Sequence, residues 1–130
     1  MTECTCSCSC QSTEGPALVF PCSGGSNVGQ IANSAAIEMD QQNLARIYCL
    51  AGVAAPIPGM VDSAKCASGA IAIDGCPVAC AKTALENAGI TVSQSIIVTE
   101  LGITKNHIFE WTAEEVKKVV DAVCLPENLN

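Results

Sequence analysis

Residues 70–80 read AIAIDGCPVAC: a short apolar run, an Asp-Gly turn, and a cysteine that leads into a helical pattern. Apolar runs at 17–20 and 45–48 are followed by a cysteine in the same way, at Cys22 and Cys49. Short apolar runs that alternate with helical patterns are typical of βα units on a parallel sheet. The repeated arrangement therefore predicts an α/β fold.

The first two runs are separated by a strong helical pattern. It begins near Ser26 or Asn27 and repeats apolar residues at helical spacing as far as Met39. After the second run, residues 52–59 are rich in Gly and Pro and predict a loop, and a short helix is predicted at about 60–67.

The second half of the chain continues the alternation. Pro77 is predicted in the first turn of a helix that Gly89 ends, with Val78 buried and Cys76 at or near the N-cap. A strand is predicted at 95–99, and the last helix opens at Thr112 with a capping-box pattern. We predict a three-layer αβα domain, Rossmann- or flavodoxin-like, whose four-stranded, mainly parallel sheet has the order 2-1-3-4.

Length and charge limit the organisation and the partners. The chain has 130 residues, so we expect one domain at 16–130, preceded by a flexible cysteine-rich tail at 1–15. A net charge of -7 with only six Lys and Arg argues against nucleic acid and against an anionic membrane surface. With neither a signal sequence nor a membrane span in the pattern, we expect a cytoplasmic protein.

Four cysteines carry the main functional signal. Cys22, Cys49 and Cys76 are spaced 27 residues apart, and each follows the apolar run of its unit. Equivalent positions of parallel strands meet at one edge of the sheet, and Cys80 is predicted one helical turn beyond Cys76. Four cysteines fill a tetrahedral zinc shell, with N–H groups of the turn at 23–25 facing the Cys22 sulfur. We therefore predict a zinc ion as the cofactor, with a structural or metal-handling role, and this metal ion as the partner.

Other interpretations of the cysteines stay open. They could be small apolar residues at strand ends, or Cys76 or Cys22 could be the reactive thiolate of a redox enzyme or sensor. Cys-x-Cys runs suit soft metals, so the tail could hold a second metal site; its cysteines are Cys4, Cys6, Cys8 and Cys10. No catalytic residue is predicted, because position 28 is Val rather than the Arg of a phosphatase loop and His107 is the single histidine.

The motif at 74–80, Asp-Gly-Cys-Pro-Val-Ala-Cys, resembles the central motif of the DGC-domain family. Residues 22–30, 48–52, 58–59 and 101–105 are similar to the same family, so the resemblance runs from about Leu18 to the C-terminus. The resemblance implies a zinc site of four cysteines, which fall on Cys22, Cys49, Cys76 and Cys80. It implies no particular activity, and the cysteine-rich tail departs from the family pattern.

Overall fold

A parallel sheet of four strands forms the centre of the fold. The computed structural model describes residues 17–124, with strands β1 (Leu18–Pro21), β2 (Arg46–Ile47), β3 (Ala70–Asp74) and β4 (Gln94–Ile97). The strands are hydrogen-bonded in the order β2-β1-β3-β4, and every pair is parallel. The predicted fold class and strand order are confirmed. The predicted tail at 1–15 lies outside the described residues.

Within the described residues, five helices connect and follow the strands. They are α1 (Asn27–Gln41), α2 (Leu50–Ala54), α3 (Pro58–Lys65), α4 (Cys80–Asn87) and α5 (Ala113–Ala122), with a 3-10 turn at Val98–Leu101. The Ser26 hydroxyl accepts from the Gly29 N–H at the start of α1, and Thr112 forms the predicted capping box of α5. Within residues 17–124, no helix is long and apolar enough to cross a membrane.

The core is divided between the two faces of the sheet. Successive residues of a strand point to opposite faces, so Val19 and Ile71 pack with α1 and α5. Phe20 and Ala72 face the other way and pack with α2, α3 and α4. Cys22 contacts both clusters, because it follows β1 at the end of the sheet. This division is the three-layer arrangement that the strand and helix patterns predict.

Helix α2 lies partly where the sequence predicts a loop. The prediction treated Gly52 as a turn residue, but Gly52 is buried inside α2. A Cβ at this position would lie 2.9 Å from the Met60 Cε and 3.0 Å from its Cγ, so glycine lets the Met60 side chain of α3 pack closely on α2. Glycine that serves close packing cannot be told from glycine that serves a turn when only local sequence is considered.

The start of α4 also differs from the prediction. The helix begins at Cys80, so Pro77 is not in its first turn, and Val78 is 69% exposed rather than buried. Ala79 is the N-cap and adopts a left-handed conformation with φ 56° and ψ 51°. Cys76 therefore lies before the helix, and the expectation that Cys76 and Cys80 share one helix face is wrong.

Candidate functional site

All four predicted cysteines lie beyond the carboxyl ends of strands. Cys22 directly follows β1, Cys49 is the N-cap residue of α2, Cys76 follows β3 after Gly75, and Cys80 is the first residue of α4. Each carries a free thiol; Cys22 and Cys76 are partly buried, and Cys49 and Cys80 are exposed. Because β1, β2 and β3 run parallel, these ends form the edge at which open α/β sheets bind ligands.

The Cys22 sulfur is held by backbone donors. The N–H of Gly75 donates to the Cys22 Sγ at 3.4 Å, and the N–H of Gly24 donates to it as well. Burial raises the pKa of the Cys22 thiol, the two N–H groups oppose the change, and the charges of Asp74 and Cys80 raise the pKa further. The predicted N–H contact from the glycine-rich turn is thus confirmed at Gly24.

The turn between β3 and α4 is fixed by Asp74. This side chain is 1% exposed, and its carboxylate accepts from the Ala81 N–H at 2.6 Å and from the Lys82 N–H at 3.1 Å. The carboxylate occupies the place of a capping side chain, so the helix begins at Cys80 rather than at Pro77. Burial raises the pKa of Asp74, although these N–H groups and the nearby Lys82 ammonium lower it.

Asp74 thereby determines the positions of two cysteines at once. The turn it closes carries Cys76, and the helix it caps starts with Cys80. The same turn is attached to β4, because the Thr99 N–H donates to the Gly75 carbonyl oxygen at 3.1 Å. Asp74 is buried and fully hydrogen-bonded within the protein, which indicates a positioning role.

A segment after β4 returns to the cysteine edge. The Lys105 Nζ lies 3.7 Å from the Cys76 Sγ. The Asn27 side chain holds the segment on both sides of Lys105: its Nδ2 donates to the Thr104 carbonyl at 2.9 Å, and its Oδ1 accepts from the Asn106 N–H at 2.6 Å. The residue analysis missed Asn27 and Lys105, since these contacts span 77 to 79 and 29 residues of sequence. The matching family motif at 101–105, which ends on Lys105, is the signal that could have pointed there.

The cysteines also line two cavities on either side of α2. Cys22 and Cys49 share a cavity of about 520 Å³ with Tyr48 and Leu50. Cys80 lines a second, mostly apolar cavity of about 370 Å³, together with Val53 and other residues of α2 and α4. Ala54 contributes to both cavities, so α2 stands between the Cys49 side and the Cys80 side of the site.

The geometry brings these thiols to one edge without closing a coordination shell. Among residues 17–124, no three His, Cys, Asp or Glu side chains are close enough to hold a metal ion. Cys22 and Cys49 line one cavity, Cys80 lines the other, and Cys76 contacts Lys105. In donor chemistry the set suits zinc, since four cysteine sulfurs with N–H donors to one of them are typical of structural zinc sites.

Comparison with known proteins gives the family. The sequence model of the DGC domain matches residues 18–123. The anaerobic and virulence modulator AnvM of Pseudomonas aeruginosa is 33% identical over 102 residues, which cover 78% of this chain and 78% of the relative. No solved structure matches the chain. Since the matched segment contains all four strands and all four predicted cysteines, the chain belongs to the DGC-domain family.

Proposed function

We propose that the protein binds one zinc ion through Cys22, Cys49, Cys76 and Cys80, in a structural or metal-handling role. The observation that carries the proposal is the placement of all four free thiols beyond the ends of three adjacent parallel strands. Backbone N–H donors to Cys22 add to it, because they stabilise the thiolate that a metal requires.

The four residues have different tasks in this proposal. Cys22 follows β1, which lies between β2 and β3 in the sheet. Its thiol loses the proton when it binds the metal, whereas burial alone raises its pKa and favours the protonated form. Cys49 and Cys80 are exposed and each stands at the start of a helix. Closing the shell requires movement within the set of four thiols, because no three donors lie at metal distance within residues 17–124. A bound zinc ion supplies a closed four-sulfur link between strand ends, a structural role rather than a catalytic one.

The test is the metal content of the full-length chain purified without added metal. We expect one zinc per chain by elemental mass spectrometry, and loss of this zinc in each single Cys→Ser variant of the four ligands. Cys124→Ser is the matched control, since Cys124 is also a free, exposed thiol but lies after α5. Zinc that survives in the ligand variants, or that disappears in the Cys124→Ser variant as well, would contradict the assignment.

The tail is tested separately in the full chain. A variant with serine at Cys4, Cys6, Cys8 and Cys10 retains one zinc if the domain cysteines form the site on their own. A second equivalent of metal in the natural chain that this variant lacks would assign a further site to the tail.

A thiol-based redox function is the second candidate, and one contact favours Cys76 over Cys22 for it. The Lys105 Nζ lies 3.7 Å from the Cys76 Sγ, so a cation contacts this sulfur, whereas burial raises the pKa of the Cys22 thiol. Mass spectrometry after a short exposure to a thiol reagent separates the candidates. Rapid labelling at Cys76 in zinc-loaded protein would support the redox function, and protection of all four cysteines would support zinc binding.

A further inference from the structure

We propose that Lys105 is the charge-compensating residue of the cysteine site and that Asn27 positions it. The proposal rests on the proposed zinc site and names a fifth and a sixth residue that the site requires. Neither residue is a metal ligand, and each acts through a contact that the structure describes.

The segment that carries Lys105 is clamped by one buried side chain. Asn27 is the first residue of α1 and is 4% exposed. Its amide donates to the Thr104 carbonyl and accepts from the Asn106 N–H, and its own backbone N–H donates to the Asn106 carbonyl at 3.0 Å. An amide of this length offers a donor and an acceptor together, which Asp and Leu do not. The two residues that flank Lys105 are therefore both fixed by Asn27.

The fixed segment places a cation where the other strands place thiols. β1, β2 and β3 are each followed by a cysteine, but β4 leads through the 3-10 turn to Lys105. The Lys105 Nζ then lies 3.7 Å from the Cys76 Sγ. Thus β4 contributes a positive charge to the same edge of the sheet that receives sulfur atoms from its neighbours.

A cation at this position has a definite effect on a four-thiolate site. Four thiolates around Zn²⁺ leave a net charge of about -2, and an ammonium beside one sulfur reduces this excess. An N–H donor to a metal-bound sulfur also draws electron density from it, so the sulfur becomes less basic and less reactive towards electrophiles. Lys105 is thereby expected to raise the affinity for zinc and to protect the Cys76 sulfur.

Three single variants of the full-length chain test the charge. Lys105→Met removes the ammonium, and Lys105→Arg keeps a positive N–H donor. Lys65→Met makes the same change in net charge at the end of α3, beside Gly89 and outside the turns that carry the four proposed ligands. Zinc affinity is measured by competition with a chromophoric chelator at low and at high salt. We expect binding about tenfold weaker for Lys105→Met, at the lower end for residues that support metal ligands, and little change for the other two.

Two further readouts distinguish compensation of charge from general stability. The difference between wild type and Lys105→Met should shrink at high salt, because screening weakens the exposed ammonium. In the Co²⁺-loaded chain, the sulfur-to-cobalt charge-transfer band should shift to lower energy when Lys105 is removed, because the Cys76 sulfur then donates more strongly. Equal affinities and equal bands for Lys105→Met and Lys65→Met would overturn the proposal.

Asn27 is tested by Asn27→Leu, which removes the donor to Thr104 and the acceptor for Asn106 without changing the net charge. We expect this variant to bind zinc as weakly as Lys105→Met does, although it retains Lys105. Circular dichroism shows whether the variant is folded. Unchanged affinity in the folded Asn27→Leu variant would overturn the positioning role. A wild-type chain that binds neither Zn²⁺ nor Co²⁺ would overturn the proposed function itself, which is a different outcome from equal binding by all variants.

Discussion

Gly75 shows how closely the chain approaches itself at the cysteine edge. A Cβ built on Gly75 would lie 2.7 Å from the Gly29 backbone nitrogen and 2.8 Å from the Val28 carbonyl carbon. These are backbone atoms of the first turn of α1, which cannot turn away as a flexible side chain can. The close approach lets the Gly75 N–H reach the Cys22 sulfur, so the smallest residue is needed for a contact within the site.

Replacement of Gly75 by Ala is therefore expected to destabilise the protein. The added methyl group must push the β3–α4 turn away from α1, and overpacking of this kind costs about 1–3 kcal/mol of the free energy of unfolding. Urea denaturation measures the change. Gly25→Ala is the matched control, because a Cβ at Gly25 meets nothing within 4 Å, and we expect a change within about 0.5 kcal/mol. Equal midpoints for the two variants would contradict the steric explanation.

At the scale of the element, α4 is defined by a residue outside the helix. Asp74 is the last residue of β3, yet its carboxylate binds the N–H groups of the second and third residues of α4. Proline favours the first turn of a helix, so Pro77 predicts that α4 begins before Cys80. The buried carboxylate overrides this preference, because a strong acceptor satisfies N–H groups that otherwise have no partner at a helix start.

Asp74→Ala is expected to lower both stability and zinc affinity. Loss of the acceptor leaves the Ala81 and Lys82 N–H groups without their partner and releases the turn that carries Cys76, at a cost of about 1–2 kcal/mol in unfolding free energy. Asp74→Asn, which retains one carbonyl oxygen, should lose less. Thr112→Ala removes a comparable cap from α5, outside the cysteine turns, so it should lower stability and leave zinc affinity unchanged. Similar zinc affinities for Asp74→Ala and Thr112→Ala would show that Asp74 has no positioning role.

On the scale of the whole molecule, what could be predicted depends on sequence separation. Strand order and the shared edge of the cysteines could be predicted because the apolar runs, the helical patterns between them and the regular cysteine spacing can all be read along the sequence. Contacts such as Lys105 with Cys76, or Asn27 with Asn106, join residues 29 and 79 positions apart. They depend on the path of the chain after β4, which no local pattern specifies. The start of α4 is a different case: Asp74 lies only seven residues before Ala81, but its use as the cap depends on the burial of its carboxylate in the folded protein.

If zinc joins the ends of three strands, its binding stabilises the entire fold and not the site alone. A ligand that binds only the folded chain adds about 2.7 kcal/mol when its free concentration is roughly 100 times Kd, so the Tm should rise steadily with buffered free zinc. Differential scanning calorimetry of the full-length chain measures this rise. Cys80→Ser should abolish it, whereas Cys124→Ser should retain it, because Cys124 is a free thiol outside the set. Thr112→Ala should lower the Tm equally with and without zinc, since the α5 cap takes no part in binding. A zinc-dependent Tm that persists in Cys80→Ser would mean that the ion is held by other residues.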